Sequence, residues 1–160
     1  MIRHCTPDDA DQICRIYNHY VRETVVTFEE APVSTAVMGQ RIRDVIARLP
    51  WLVWEQDGAI LGYAYATPWK VRAAYRHSVE STIYLSPNTT RQGIGTKLYQ
   101  ALLADLKQRD VHSVVGGAAL PNPGSVALHE KLGFSKVAEF REIGRKQDRW
   151  VDVAYWQLTL

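Results

Sequence analysis

Apolar positions along the chain change their spacing several times, and each change marks a predicted element. "IRHC" opens as a short strand. Thr6, with Pro7 behind it, then starts a helix in which Ile13, Ile16, Tyr17 and Tyr20 fall on one face, ending near Arg22. Ser34 caps a second helix whose Val37, Ile42, Val45, Ile46 and Leu49 form a stripe until Pro50 stops it. From Trp51 the period falls to two: "WLVWEQ" and "AILGYAYAT" flank Asp57-Gly58, a preferred two-residue hairpin turn. After the loop "PWKVRAAYRH", "SVESTIYLS" reads as a strand, and Ile94, Leu98, Leu102 and Leu106 then repeat at fourfold spacing along a helix face. "HSVVGGAAL" predicts a buried strand, "NPGSVALHEKLGF" a short helix opened by Asn122 and Pro123, and "FSKVAEFREIG" with "RWVDVAYWQLTL" a closing strand pair. The order β-α-α-β-β-β-α-β-α-β-β predicts an α/β fold with helices packed on a mixed sheet.

With 160 residues, 46% of them hydrophobic, the chain is expected to form a single domain over residues 1–160, and no repeat or linker composition divides it. Nineteen basic against seventeen acidic residues leave +2, evenly spread, which argues against a nucleic-acid partner. Cys5 and Cys14 form no CxxC pair and no histidines cluster, so neither a disulfide framework nor a metal site is expected. No apolar run reaches membrane-spanning length and "MIRHCTPDDADQ" lacks the apolar core of a signal peptide, so the expectation is a soluble cytoplasmic protein without a membrane partner.

The costliest local choice is "RQGIGTK" between the strand and the fourfold-spaced helix. Each glycine costs about 1 kcal/mol relative to alanine inside a helix. A strand-to-helix turn without bulky side chains is a cradle for phosphate oxygens, since the first amides of the helix are unpaired and carry partial positive charge. The alternative is a tight turn and nothing more. The lysine-serine/threonine pair of a P-loop and the third glycine of a dinucleotide fingerprint are both missing.

"RQGIGTKLYQALL" followed by "LPNPGSVALHEKLGF" resembles the coenzyme A signature of the GNAT superfamily of N-acetyltransferases. "LPWLVWEQDGAILGYAYATPWKVRAAY", "VESTIYLS" and "DRWVDVAYWQL" resemble its phosphinothricin and methionine sulfone/sulfoximine acetyltransferase branch over nearly the whole chain. The resemblance implies a GNAT fold in which two splayed parallel strands, residues 79–86 and 112–119, take the pantetheine arm of acetyl-CoA. It implies coenzyme contacts from Ile83, Tyr84, Leu85, Arg91, Gln92, Gly93, Ile94, Gly95, Thr96, Asn122 and Ser125, with the Leu85 amide on the thioester carbonyl. Thr90 departs from the pattern, which has Gln or Arg at its place. A homodimer is implied as well, and "GRKQDRWVDVAYW" has the aromatic and arginine content of an interface.

Acetyl transfer to an amine needs a base, an oxyanion donor and a proton for the departing thiolate. Glu80 interrupts an apolar strand, sharing a face with Thr82 and Tyr84, and the family places its catalytic glutamate here; the other reading is a solvated carboxylate or one paired with Arg72 or Arg76. His129 stands where related enzymes carry an acid, and a histidine on a helix face is equally read as structural. Lys70 and Arg72, with Val71 between them, form either an oxyanion clamp or a solvated loop. Phe28 and Tyr75 are read as pocket walls or as core aromatics, and Ser81 and Thr82 as substrate neighbours on the Glu80 strand. The implied activity is acetylation of the α-amine of a small amino-acid-like compound; the alternatives are another amine (a polyamine, an aminoglycoside or a protein N-terminus) and a non-catalytic acyl-CoA-binding domain.

Overall fold

A computed structural model describes residues 1–89 and 93–160. Its elements follow the predicted order: β1 (Ile2–His4), α1 (Ala10–Glu23), α2 (Thr35–Ile46), β2 (Trp51–Gln56), β3 (Ala59–Pro68), β4 (Ser78–Leu85), α3 (Ile94–Gln108), β5 (Ser113–Ala119), α4 (Pro123–Lys131), β6 (Ser135–Lys146) and β7 (Arg149–Thr159). Among the described residues the strands form one seven-stranded sheet in the order β1-β2-β3-β4-β5-β7-β6. Every neighbouring pair is antiparallel except β4 and β5. Helix α3 is the crossover between those two strands, the connection that a parallel pair requires.

Alternation along the strands builds one core on each face of the sheet. Helices α1 and α2 bury Ile13, Tyr17, Val21, Met38 and Ile42 against Trp51, Val53 and Tyr63. On the other face Leu98, Tyr99, Leu102 and Leu106 of α3 pack on Ala64, Ala66, Val79, Val114 and Trp156. A leucine taken fully out of water contributes about 1.5–3 kcal/mol, so this fourfold-spaced row holds α3 firmly.

Local chemistry explains the boundaries. Asp57 and Gly58 both take positive φ (51° and 77°), as the predicted hairpin turn demands. A 3-10 turn at Pro7–Asp9 precedes α1, with Asp9 accepting from the Thr6 amide at 2.9 Å, so the first helix starts three residues later than its proline suggests. In α2 the buried line runs through Met38, Gly39 and Ile42, whereas Val37 and Ile46 of the expected stripe are exposed. The helix lies against α1 and the 3-10 turn, and those neighbours select a line different from the one the sequence pattern favours.

Candidate active site

The two edges of β4 are paired to different lengths. β3 follows it from Pro68↔Val79 to Gly62↔Leu85, but the parallel ladder with β5 runs only from Ser78↔Ser113 to Ser81↔Gly116. The Ser86 amide donates to the Leu61 carbonyl at 2.8 Å, so antiparallel alternation turns the peptide groups of Ser81, Ile83 and Leu85 away from β3 and toward β5. Beyond Ser81 the two strands splay, and the Ile83 and Leu85 peptide groups face the gap. Tyr20 of α1 donates its hydroxyl to the Leu85 carbonyl at 2.6 Å. The Leu85 amide stays directed into the gap.

A cavity of about 530 Å³ fills this splay. Glu80 through Tyr84 line one side, Gly117 through Ala119 the other, and Ser125 and His129 of α4 close one end. Val26, Thr27 and Phe28, from the segment between α1 and α2, and Phe140, Ile143, Val153 and Tyr155 of the β6–β7 hairpin enclose the rest.

The glycine turn lies at the mouth of the gap. Gly93 takes φ 70°, ψ 13°, a left-handed conformation that suits glycine, and a Cβ there would meet nothing within 4 Å. Gly95 is buried in the first turn of α3, where a Cβ would stand 3.3 Å from Leu85 Cδ1. One glycine therefore makes the turn and the other lets α3 approach the end of β4. Gly93, the N-cap of α3, has no side chain to cap the helix and the first turn carries no acid, so among the described residues its leading amides suit an anion. Arg91 and Gln92, expected on the coenzyme, lie outside the described residues, as does Thr90. Asn122 accepts from the Ser125 amide at 3.1 Å and so caps α4.

Glu80 is half-buried, between Thr67 of β3 and Val115 of β5 in the sheet. Burial raises the pKa of its carboxyl, with the charge of Lys70 opposing. Among the described residues it accepts no hydrogen bond and joins no ion pair; Arg76 instead bonds the Ala73 carbonyl. The sheet face it shares with Thr82 and Tyr84 continues into an aromatic floor, where Tyr84 meets Tyr17 edge-on at 5.4 Å and Tyr63 at 5.6 Å. A raised carboxyl without a partner, at the rim of a cavity, suits proton acceptance.

His129 belongs to a buried polar chain beneath the gap. Its Nδ1 lies 2.7 Å from the Ser125 carbonyl, which only accepts, so Nδ1 carries the proton. Nε2 then accepts from the Tyr99 hydroxyl at 3.2 Å, and Tyr99 in turn bonds the Ser81 hydroxyl. The imidazole is 3% exposed, stacked on Trp156 and edge-on to Tyr99 and Phe134. Burial lowers its pKa, the Ser125 carbonyl opposing, and keeps it neutral.

Of the expected acceptor residues, Phe28, Glu80, Ser81 and Thr82 line the main cavity. Ser81 does so with its hydroxyl turned under the sheet to Tyr99. Lys70 and Tyr75 instead line a neighbouring cavity of about 460 Å³, which shares Phe140 and Tyr155 with the first. Lys70 holds its ammonium 4.9 Å from the Trp69 ring centroid, while Val71 and Arg72 are exposed. The loop leaves β3 and turns outward through a 3-10 turn at Ala73–Tyr75, so this chain does not bring Lys70 and Arg72 together around Glu80. Phe140, Tyr155 and the Val26–Thr27 pair leave no signal in the sequence: Tyr155 and Phe140 reach the cavity through the β5–β7 and β6–β7 ladders, and Val26 and Thr27 through a segment without regular structure. Among the described residues no group of three His, Cys, Asp or Glu side chains could hold a metal ion, and no helix is long and apolar enough to cross a membrane.

The model of the acetyltransferase (GNAT) domain matches residues 2–155. A phosphinothricin N-acetyltransferase of Streptomyces viridochromogenes is 40% identical over 156 residues, covering 98% of this chain and 85% of the relative. An L-methionine sulfoximine/L-methionine sulfone acetyltransferase of Salmonella typhimurium is 32% identical over 161 residues, 99% of this chain and 94% of its own length. Among solved structures, a phosphinothricin acetyltransferase of Sinorhizobium meliloti in complex with AcCoA superposes with a TM-score of 0.96 at 34% identity, covering 100% of this chain and 88% of that one.

Proposed function

The chain belongs to the GNAT acetyltransferase family, and from that premise we propose that it acetylates the α-amine of a small amino-acid-like acceptor, with acetyl-CoA as donor and Glu80 as general base. The named relatives suggest phosphinothricin, methionine sulfoximine and methionine sulfone as acceptors. The observation that carries the reading is the gap between β4 and β5, with the half-buried Glu80, unpartnered among the described residues, on one side and the N-terminus of α3 at its mouth.

This gap fits acetyl-CoA. The Ile83 and Leu85 peptide groups offer an amide-bearing arm the pairing that β5 withdraws, and the side-chain-free turn at Gly93 and Gly95 admits a diphosphate against the helix N-terminus. Thr96 lies in that first turn, while Ile94 is buried in the core. When bound, acetyl-CoA supplies an acyl thioester with a thiolate leaving group. Leu85 N–H donates to the thioester carbonyl oxygen as negative charge develops there. Glu80, as carboxylate, takes the proton from the acceptor ammonium, directly or through one water, leaving the amine lone pair free to attack. A carboxylate with the usual pKa of about 4.3 is a weak base for this step, and burial moves Glu80 in the useful direction.

The sulfur needs one proton, and the amine loses one as the amide forms, so the balance closes without a separate acid. His129 supplies that proton only as imidazolium, which its burial disfavours. Its neutral ring instead ties α4 to Tyr99 and so shapes the closed end of the cavity.

The protein acts as one domain over residues 1–160 and as a homodimer. Val137, Phe140, Ile143 and Trp150 leave an apolar surface on the β6–β7 hairpin, and sedimentation equilibrium at a single-chain mass would refute the pairing. The acceptor reading is tested by mixing the protein with acetyl-CoA and each of the three amino acids and following free thiol. Release above background with at least one is expected; none with any of them refutes the acceptor class.

A further inference from the structure

Residues 24–33 join α1 to α2 without regular structure, yet Val26, Thr27 and Phe28 wall the Glu80 cavity. An irregular wall keeps its shape only where its polar groups have fixed partners. Some of these are nearby in the chain: the Thr27 and Tyr17 hydroxyls bond at 2.8 Å, and Glu29 accepts from Arg41 Nη1 at 3.0 Å. The others come from the opposite end of the molecule. Lys146, the last residue of β6, donates from Nζ to the Thr27 carbonyl at 2.8 Å. Two residues earlier, Gly144 receives the Phe28 ring so closely that a Cβ there would stand 2.2 Å from Phe28 Cε2. Gln147 reaches the Arg22 carbonyl at 3.4 Å.

Lys146 is 4% exposed, and among the described residues no carboxylate lies within ion-pair distance of it. Burial lowers its pKa, with the charges of Glu30 and Glu29 opposing. An ammonium is rarely this buried, because desolvation penalises it and an apolar side chain would pack without that penalty. What the ammonium supplies here is one directed bond to the backbone between two cavity-wall side chains.

We infer that Lys146 is a positioning residue of the acceptor site: from behind the wall it holds Thr27 and Phe28 over the Glu80 cavity and so governs acceptor binding without touching either substrate. This rests on the reading of the part of that cavity walled by residues 26–28 as the acceptor site, the part between β4 and β5 taking the coenzyme. The coenzyme gap is built from β4, β5, α3 and α4, none of which Lys146 bonds, so the two substrates respond differently to its loss.

The test is Lys146→Met, which keeps the apolar stem and removes the donor. In the free protein, hydrogen exchange of the amides of residues 24–30 should accelerate roughly tenfold or more while those of β4 and β5 do not change. With an acceptor that the unaltered protein acetylates, KM for the acceptor should rise about five- to tenfold, with kcat and acetyl-CoA affinity within about twofold. Unchanged exchange at 24–30, or equal losses for acceptor and coenzyme, overturns the assignment. Should Lys146→Met fail to fold, Gly144→Ala, which displaces the Phe28 ring and leaves Lys146 in place, must give the same selective KM increase; an unchanged KM there overturns it too. A protein that releases no thiol with any amine refutes the acceptor reading alone, and the exchange measurement still decides whether Lys146 holds the wall.

Discussion

The two edges of β4 carry the same strand to different ends. On the β3 side the ladder is continuous to Leu85, and the residues around it, Tyr63, Ala64 and Ala66, are all buried. On the β5 side pairing stops at Ser81, leaving two peptide units without a strand partner in front of a 530 Å³ cavity. Unpaired buried peptide groups cost free energy, so an open edge inside a sheet is kept only where something else fills it. The closed edge holds the strand in place, and the open edge presents Glu80 and the Ile83 and Leu85 peptide groups along one side of the gap.

The sharpest way to break this contrast is to disable the open side without touching the fold. Glu80→Gln should lower turnover about 10²–10⁴-fold while acetyl-CoA affinity stays near that of the unaltered protein, since the amide keeps the shape and loses the base. A pH series reads the same group. The base must be ionised, and burial raises its pKa, so kcat/KM should fall on acidification at a higher pH than an exposed glutamate would give. That limb should be absent from the residual activity of the variant.

On the closed side the expected loss is in stability. Leu102 is fully buried in the core where α3 packs on the sheet, and Leu102→Ala should cost about 2–5 kcal/mol in denaturant unfolding. Turnover per folded molecule should stay within about twofold, because no cavity-lining residue changes. A catalytic loss larger than the stability loss would erase the distinction between the two edges. The smallest effect falls on the floor of the gap: His129→Gln should lower stability by about 1–3 kcal/mol through the Tyr99 and Ser125 links, with kcat reduced less than about tenfold. A larger drop in kcat, with loss of a basic limb in the pH profile, would make His129 the proton donor after all.

Element order and the glycine turn were legible because they depend on nearest neighbours: period-two strands, the Asp57-Gly58 hairpin and the left-handed Gly93 all follow from local chemistry. The splayed pair was legible only through family resemblance, since nothing in a strand's own residues says where its partner stops. Hydrogen-bonded chains such as Ser81–Tyr99–His129, and the grip of Lys146 on Thr27, join positions up to 119 residues apart and leave no periodic trace. The Lys70–Arg72 pair shows the opposite limit: neighbouring charges in a loop suggest a clamp, but the backbone path sends them to different surroundings.

The most direct measurement is a crystal structure of the protein with acetyl-CoA bound. The pantetheine arm should run between residues 82–85 and 117–119, with its diphosphate on the amides that open α3 and its thioester carbonyl on the Leu85 N–H. Coenzyme bound at any other face, or a gap between β4 and β5 closed by direct pairing, would contradict the assignment.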